Sequence, residues 1–174
     1  RYFQINMCSI SGIINGDIKS LKKMISLQSH RAPDDSGYYT NKNIYIGMGR
    51  LKIIDLKSEN LCPYIDDELV LSYNGEIYNY LELKKKLQTF NWKFKTKSDT
   101  EVLAYAWKQW GTKMFDKLNG MFAFCIYDKK KNKIILSRDI AGEKPLYYLK
   151  KNNKFYFSSE AKAIAAVAKP EVIK

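Results

Sequence analysis

Histidine is nearly absent, cysteine is sparse and no long apolar run occurs, and each shortage removes a class of function. His30 is the only histidine, and Cys8, Cys62 and Cys125 are the three cysteines. They contain no Cys-x-x-Cys pair and meet no histidine cluster, so neither a zinc site nor any other metal centre is expected, nor a disulfide framework. No apolar stretch approaches the roughly 20 residues that cross a bilayer. The N-terminus lacks the charged and apolar regions of a secretory signal. The expectation is a cytoplasmic protein with no membrane partner.

Acid is also scarce relative to base, 18 Asp and Glu against 30 Lys and Arg, for a formal charge of +12. Such a balance raises nucleic acid as a partner. The lysines argue against it, because they fall in separated runs at Lys22-Lys23, Lys84 to Lys86, Lys129 to Lys131 and Lys150-Lys151 with no nucleic-acid fold motif around them. What is present is a globular composition, 45% hydrophobic and 14% aromatic over 174 residues, enough for one domain with a real core.

Periodicity places the elements. Residues 7 to 14 read as a strand, and Asp17 caps a helix with apolar positions at Ile18, Leu21, Ile25 and Leu27. Strands follow near 36 to 41 and 44 to 51. Another covers Leu69 to Tyr73 and runs into Asn74-Gly75-Glu76. Asn79 with Glu82 forms an N-cap pair for a helix whose Tyr80, Leu83, Leu87 and Phe90 share a face. Ser98-Asp99-Thr100-Glu101 is a capping box for a helix with a broad stripe of Val102, Leu103, Ala106, Trp107 and Trp110. Met121 to Tyr127 is nearly all apolar, as in a strand covered on both faces. Lys133 to Ser137 pairs back on it, and a last hairpin, 146–149 with 155–158, turns at Asn152-Asn153.

Cys8 follows Met7, so loss of the preceding residues would leave an N-terminal cysteine. Such a residue carries a thiol nucleophile and an α-amine with a reference pKa of about 7.7–8.0. Residues 1–6 are expected to be a tag remnant, since Tyr2-Phe3-Gln4 is similar to the end of a tag-protease site, or else a short propeptide. A cysteine in an apolar strand is otherwise ordinarily inert core.

An ordered series of short motifs gives Cys8 a different weight. It runs through Met7-Cys8-Ser9-Ile10, His30-Arg31-Ala32-Pro33-Asp34, Gly49-Arg50-Leu51-Lys52-Ile53-Ile54-Asp55 and Asn74-Gly75-Glu76-Ile77-Tyr78-Asn79. It continues with Ser98 to Val102, Leu118 to Phe124, Arg138-Asp139, Lys144-Pro145-Leu146-Tyr147-Tyr148 and Ser159-Glu160. This series resembles the glutaminase domain of the glutamine-hydrolysing asparagine synthetases, within the class II glutamine amidotransferases and the N-terminal nucleophile hydrolases.

The resemblance implies an α+β fold, a four-layer αββα sandwich of two mainly antiparallel sheets, spanning residues 7–174. It implies glutamine as substrate and Cys8 as nucleophile, with the oxyanion held by Asn74 and the backbone N–H of Gly75. Arg50 would hold the glutamine α-carboxylate, with Leu51, Ile53 and Ile54 lining the pocket, and Asp99 and Glu76 would hold the α-ammonium. Each residue also has a plainer role: Asn-Gly is a common hairpin turn, Asp99 suits a helix N-terminus, and Arg50 suits a strand end. His30 has no catalytic part in the pattern; Arg138, Asp139 and Lys144 read as structural or interface residues, and Cys62 and Cys125 as packed or loop thiols.

The series departs from the family at Ala32, where glycine is usual, so the turn must avoid positive φ or absorb strain. No pyrophosphate loop of the Ser-Gly-Gly-x-Asp type follows Ser159-Glu160. The expectation is therefore a glutaminase portion without cofactor, partnered by a C-terminal synthetase domain that uses ATP and Mg, with a homodimer possible. Alternative readings are the ammonia-supplying portion of an amidotransferase for sugars or secondary metabolites, and a catalytically silent glutamine-binding domain.

Overall fold

The computed structural model describes residues 7–50 and 62–168. Among these, strand β1 (Ser9–Ile14) leads into helix α1 (Ile18–Ser26), then β2 (Asp35–Asn41), β3 (Ile44–Arg50), β4 (Tyr64–Ile65) and β5 (Leu69–Ile77). Helices α2 (Tyr80–Gln88) and α3 (Asp99–Trp110) follow, with a 3-10 segment at Gly111–Lys117. The chain ends through β6 (Gly120–Asp128), β7 (Lys133–Arg138), β8 (Tyr147–Lys151), β9 (Lys154–Ser158) and α4 (Ala161–Ala168).

The strands form two antiparallel sheets, ordered β2-β3-β1-β9-β8 and β4-β5-β6-β7. Alternation along each strand sorts side chains into three apolar layers. On β1, Ile13 joins Leu21, Met24, Ala163 and Ile164 beneath α1 and α4. On β3 and β5, Ile44, Ile46 and Val70 meet Cys125, Tyr127 and Phe157 between the sheets. On the outer side of β5 and β6, Leu69, Leu71, Phe124 and Ile126 pack under Leu83, Leu87, Val102 and Leu103 of α2 and α3. The order is helices, sheet, sheet, helices, the αββα sandwich that the resemblance implies.

Capping differs from the sequence pattern in instructive ways. Asp17 does cap α1, accepting from the Ser20 N–H at 2.8 Å. Asn79 occupies the cap position of α2 but makes no cap bond. Its amide instead bridges to the Lys117 carbonyl at 2.9 Å and the Asn119 N–H at 3.0 Å, tying α2 to the start of β6. The capping box of α3 is half made. Ser98 accepts from Thr100, whereas Glu101 turns away from the cap to take the N–H groups of Lys95 and Thr96. Leu27 lies past the end of α1 and is exposed, and Met24 fills the buried position. Helix α4 was not marked by periodicity, because five of its eight residues, Ala161, Ala163, Ala165, Ala166 and Ala168, are alanines that fit either face.

Candidate functional site

Strand register brings the predicted residues to one end of the sandwich. Ser9 pairs with Gly49, so Cys8 at the head of β1 lies beside Arg50 at the end of β3. Both alternate onto the face that looks toward the second sheet, the face of Ile10 and Met48. Across the gap, the Ser72 hydroxyl of β5 donates to the Gly47 carbonyl at 2.9 Å. That bond locks the sheets and carries Asn74, two residues further along the same face, toward the Arg50 end. Arg50 is buried rather than a surface charge.

Asn74 is 1% exposed, and its Nδ2 is buried without a hydrogen-bond partner. An unsatisfied buried donor ordinarily costs about 1–3 kcal/mol, so it is rarely kept without use. Gly75 next to it touches β6 so closely that a Cβ would come within 2.3 Å of the Met121 carbonyl oxygen and 2.7 Å of Phe122 Cα. Only glycine lets β5 keep this pairing where it approaches the site. The pairing of Asn74 with Ala123 and Gly75 with Phe122 continues the sheet through both residues, so Asn74-Gly75 is not a hairpin turn.

Asp99 opens α3 and is buried. Its Oδ2 accepts from the Tyr73 hydroxyl at 2.7 Å and the Ile77 N–H at 3.1 Å. Burial raises its carboxyl above the ordinary value of 3.8 against those hydrogen bonds, and the Glu76 carboxylate adds to the rise. Tyr73 is held well above its usual range by burial and by Asp99, with Cys8 and Glu76 also within electrostatic reach. Cys8, Tyr73, Glu76 and Asp99 therefore share one neighbourhood. Leu51, Ile53 and Ile54 lie outside the described residues.

His30 pairs with a carboxylate: its Nε2 lies 2.8 Å from Glu160 Oε1. Glu160 follows Ser159, whose hydroxyl and N–H bracket Ile10 of β1 at 3.0 and 2.9 Å. The late Ser-Glu pair thus anchors the strand that carries Cys8. Ala32 has no positive φ, and its Cβ fills the space that Gly49 leaves, since a Cβ on Gly49 would come within 2.8 Å of it. The turn avoids the strained conformation.

Two neighbours escaped sequence reasoning. Tyr73 sits in the apolar alternation of β5, so nothing marks its hydroxyl. Cys62 reads as a loop thiol, yet its Sγ donates to the Met48 carbonyl at 3.2 Å and it lies within electrostatic reach of Cys8 and Arg50. Among the described residues no cluster of His, Cys, Asp or Glu could hold a metal ion, and no helix is long and apolar enough to cross a membrane.

Residues 7–173 match the profile of a glutamine amidotransferase domain. The chain belongs to that family. A Methanocaldococcus jannaschii relative is 44% identical over 92% of this chain and 35% of its own. The Bacillus subtilis "Asparagine synthetase [glutamine-hydrolyzing] 3" is 36% identical over 92% of this chain and 28% of its own. The chain thus spans about a third of the length of these relatives. Among solved structures, the glutamine phosphoribosylpyrophosphate amidotransferase of Bacillus subtilis, complexed with ADP and GMP, superposes with a TM-score of 0.71 at 21% identity. The match covers 92% of this chain and 44% of that one, so the two share a fold.

Proposed function

We propose that this amidotransferase domain hydrolyses the side-chain amide of glutamine, with Cys8 as an N-terminal nucleophile, and delivers the ammonia to an ATP-dependent asparagine synthetase domain of the same polypeptide. The observation that carries the reading is the buried Asn74 amide, whose Nδ2 has no hydrogen-bond partner. A donor held ready without a ground-state partner is what a developing oxyanion needs.

The chemistry follows from the residues. With residues 1–7 removed, the Cys8 α-amine takes the thiol proton while Sγ attacks the glutamine amide carbon. The carbonyl oxygen, now negative, is received by Asn74 Nδ2 and the Gly75 N–H. The amine returns the proton to the leaving nitrogen, ammonia departs, and a γ-glutamyl thioester remains. Water then attacks the thioester, its proton passes through the amine to sulfur, and glutamate leaves. Arg50 grips the α-carboxylate, and Asp99 with Glu76 holds the α-ammonium. This half needs no cofactor; ATP and Mg serve the synthetase portion.

The test compares the chain as given with one beginning at Cys8, following glutamate release from glutamine. Activity confined to the trimmed form, and lost in Cys8→Ala, supports the reading. A folded, trimmed protein that binds glutamine but releases no glutamate overturns it.

A further inference from the structure

Beside Cys8 lies a buried cation to which the chemistry above gives no part. Lys144 is 7% exposed, although lysine is seldom interior without a strong partner. A rigid turn puts it there. Asp139 Oδ1 accepts the Glu143 N–H at 2.9 Å, and its Oδ2 accepts the N–H groups of Lys144 and Phe122 at 3.1 and 3.2 Å. Gly142, at φ +70°, closes the turn by donating to the Asp139 carbonyl at 3.0 Å.

From this turn the Lys144 ammonium donates to the Met7 thioether at 2.9 Å. A thioether is a weak acceptor. Behind it, Arg31 keeps Nε and Nη2 buried without hydrogen-bond partners, while its Nη1 reaches Glu160 at 3.5 Å. A buried ammonium and a half-buried guanidinium thus stand next to Met7, the residue before the thiol, the first held by the Met7 side chain and the second joined to the Met7 N–H through the Arg31 carbonyl. Burial and the Arg31 charge push the Lys144 ammonium below its ordinary value, and Cys8, Glu143 and Glu76 act in the other direction. The charges in this neighbourhood are of mixed sign: Arg50 and Asp35 act with Cys8 on Cys62 from one side, and Glu76 and Asp99 act with Cys8 on Tyr73 from the other.

We propose that Lys144 is a positioning residue for the nucleophile: once Met7 is gone, its ammonium turns to Cys8 and supplies the positive charge that favours the thiolate. The inference rests on Cys8 being the N-terminal nucleophile. The acceptor that Lys144 now has belongs to Met7, the residue whose removal exposes the α-amine. A positive neighbour in a partly desolvated site lowers a thiol by on the order of one pKa unit, raising its thiolate fraction near neutrality by roughly tenfold.

The test uses the chain beginning at Cys8 and follows iodoacetamide alkylation of Cys8 against pH by peptide mass spectrometry, with Cys62 and Cys125 as internal references. Lys144→Met should move the Cys8 midpoint upward by about one pH unit, and Lys144→Arg should restore it. A folded Lys144→Met protein with an unmoved midpoint overturns the proposal. Should Lys144→Met fail to fold, Lys144→Gln against Lys144→Arg makes the same comparison, neutral against charged, with the same two outcomes. Glutamate release from the same samples separates the two readings. An inactive parent whose midpoint still moves in the variant refutes glutaminase activity and sustains Lys144. An active parent with no movement does the reverse.

Discussion

At the residue scale, the site depends on groups whose chemistry is altered by burial. The Asn74 amide is the sharpest case, because in the proposed reaction its cost falls on the ground state and its use on the transition state. Asn74→Ala should lower kcat for glutamine hydrolysis by on the order of 10²–10³ while KM changes little, as steady-state kinetics on the trimmed chain would reveal. A rise in KM with kcat intact would instead make Asn74 a binding residue. Asp99 should behave in the opposite way. Its carboxyl is raised by burial, so protonation on acidification comes earlier than for an ordinary aspartate and would remove the charge proposed to hold the ammonium. KM for glutamine should therefore climb as pH falls toward that raised value, and Asp99→Asn should show a high KM with this dependence abolished. The three thiols should also part company. Burial, with Asp35 and Cys8 nearby, pushes Cys62 up to about 12, and complete burial raises Cys125 as well. Brief alkylation at pH 8 should mark Cys8 well ahead of both; equal labelling would count against this picture.

At the scale of elements, the turn after α1 and the strand β3 are fitted to each other through Ala32 and Gly49. Gly49→Ala would drive a methyl to 2.8 Å from the Ala32 Cβ and 2.7 Å from the Ser9 hydroxyl, against the strand that bears Cys8. It should cost on the order of 1–3 kcal/mol by overpacking. Adding Ala32→Gly should return part of that loss, and a double-mutant cycle by urea unfolding would measure the coupling. Additive effects would mean that the two positions do not touch in solution. The sequence made this pair legible only by half. Ala32 stood out as a departure from the family pattern, but the compensating space at Gly49 lies across a strand pairing that spacing does not reveal. The capping motifs teach the same lesson. Ser98 caps α3 as its chemistry dictates, yet Glu101 and Asn79 were captured by loops that only the tertiary fold brings within reach.

Over the whole molecule, carboxylates pinned by the fold control acid stability. Burial raises Asp66, Asp128, Asp139 and Glu160, but it is outweighed: by Lys108 and backbone N–H groups at Asp66, by Lys131 and Trp107 at Asp128, by turn N–H groups at Asp139, and by Lys162 and His30 at Glu160. Each is lower in the folded chain than its ordinary value of 3.8 or, for Glu160, 4.5. The stabilisation they give is complete above those ordinary values and is lost as pH falls through them toward the folded ones. Thermal melts should hold steady from neutrality to about pH 5 and then decline on further acidification. A melting temperature that stayed flat down to pH 3 would contradict this account.

Local patterning determined most of the elements and their faces, short β4 and alanine-rich α4 excepted: period-two strands, period-3.6 helices and positive-φ asparagines at Asn152 and Asn153 follow from contacts within a few residues. The ordered motifs also carried the family. What the tertiary structure alone decided is the meeting of distant side chains. The antiparallel register set Cys8 beside Arg50, the bond from Ser72 to Gly47 brought Asn74 across from the other sheet, and the Asp139 turn set Lys144 against Met7. The physical reason is that pairing register and sheet packing are settled by burying three apolar layers at once, a sum over the whole chain that no short window of sequence contains.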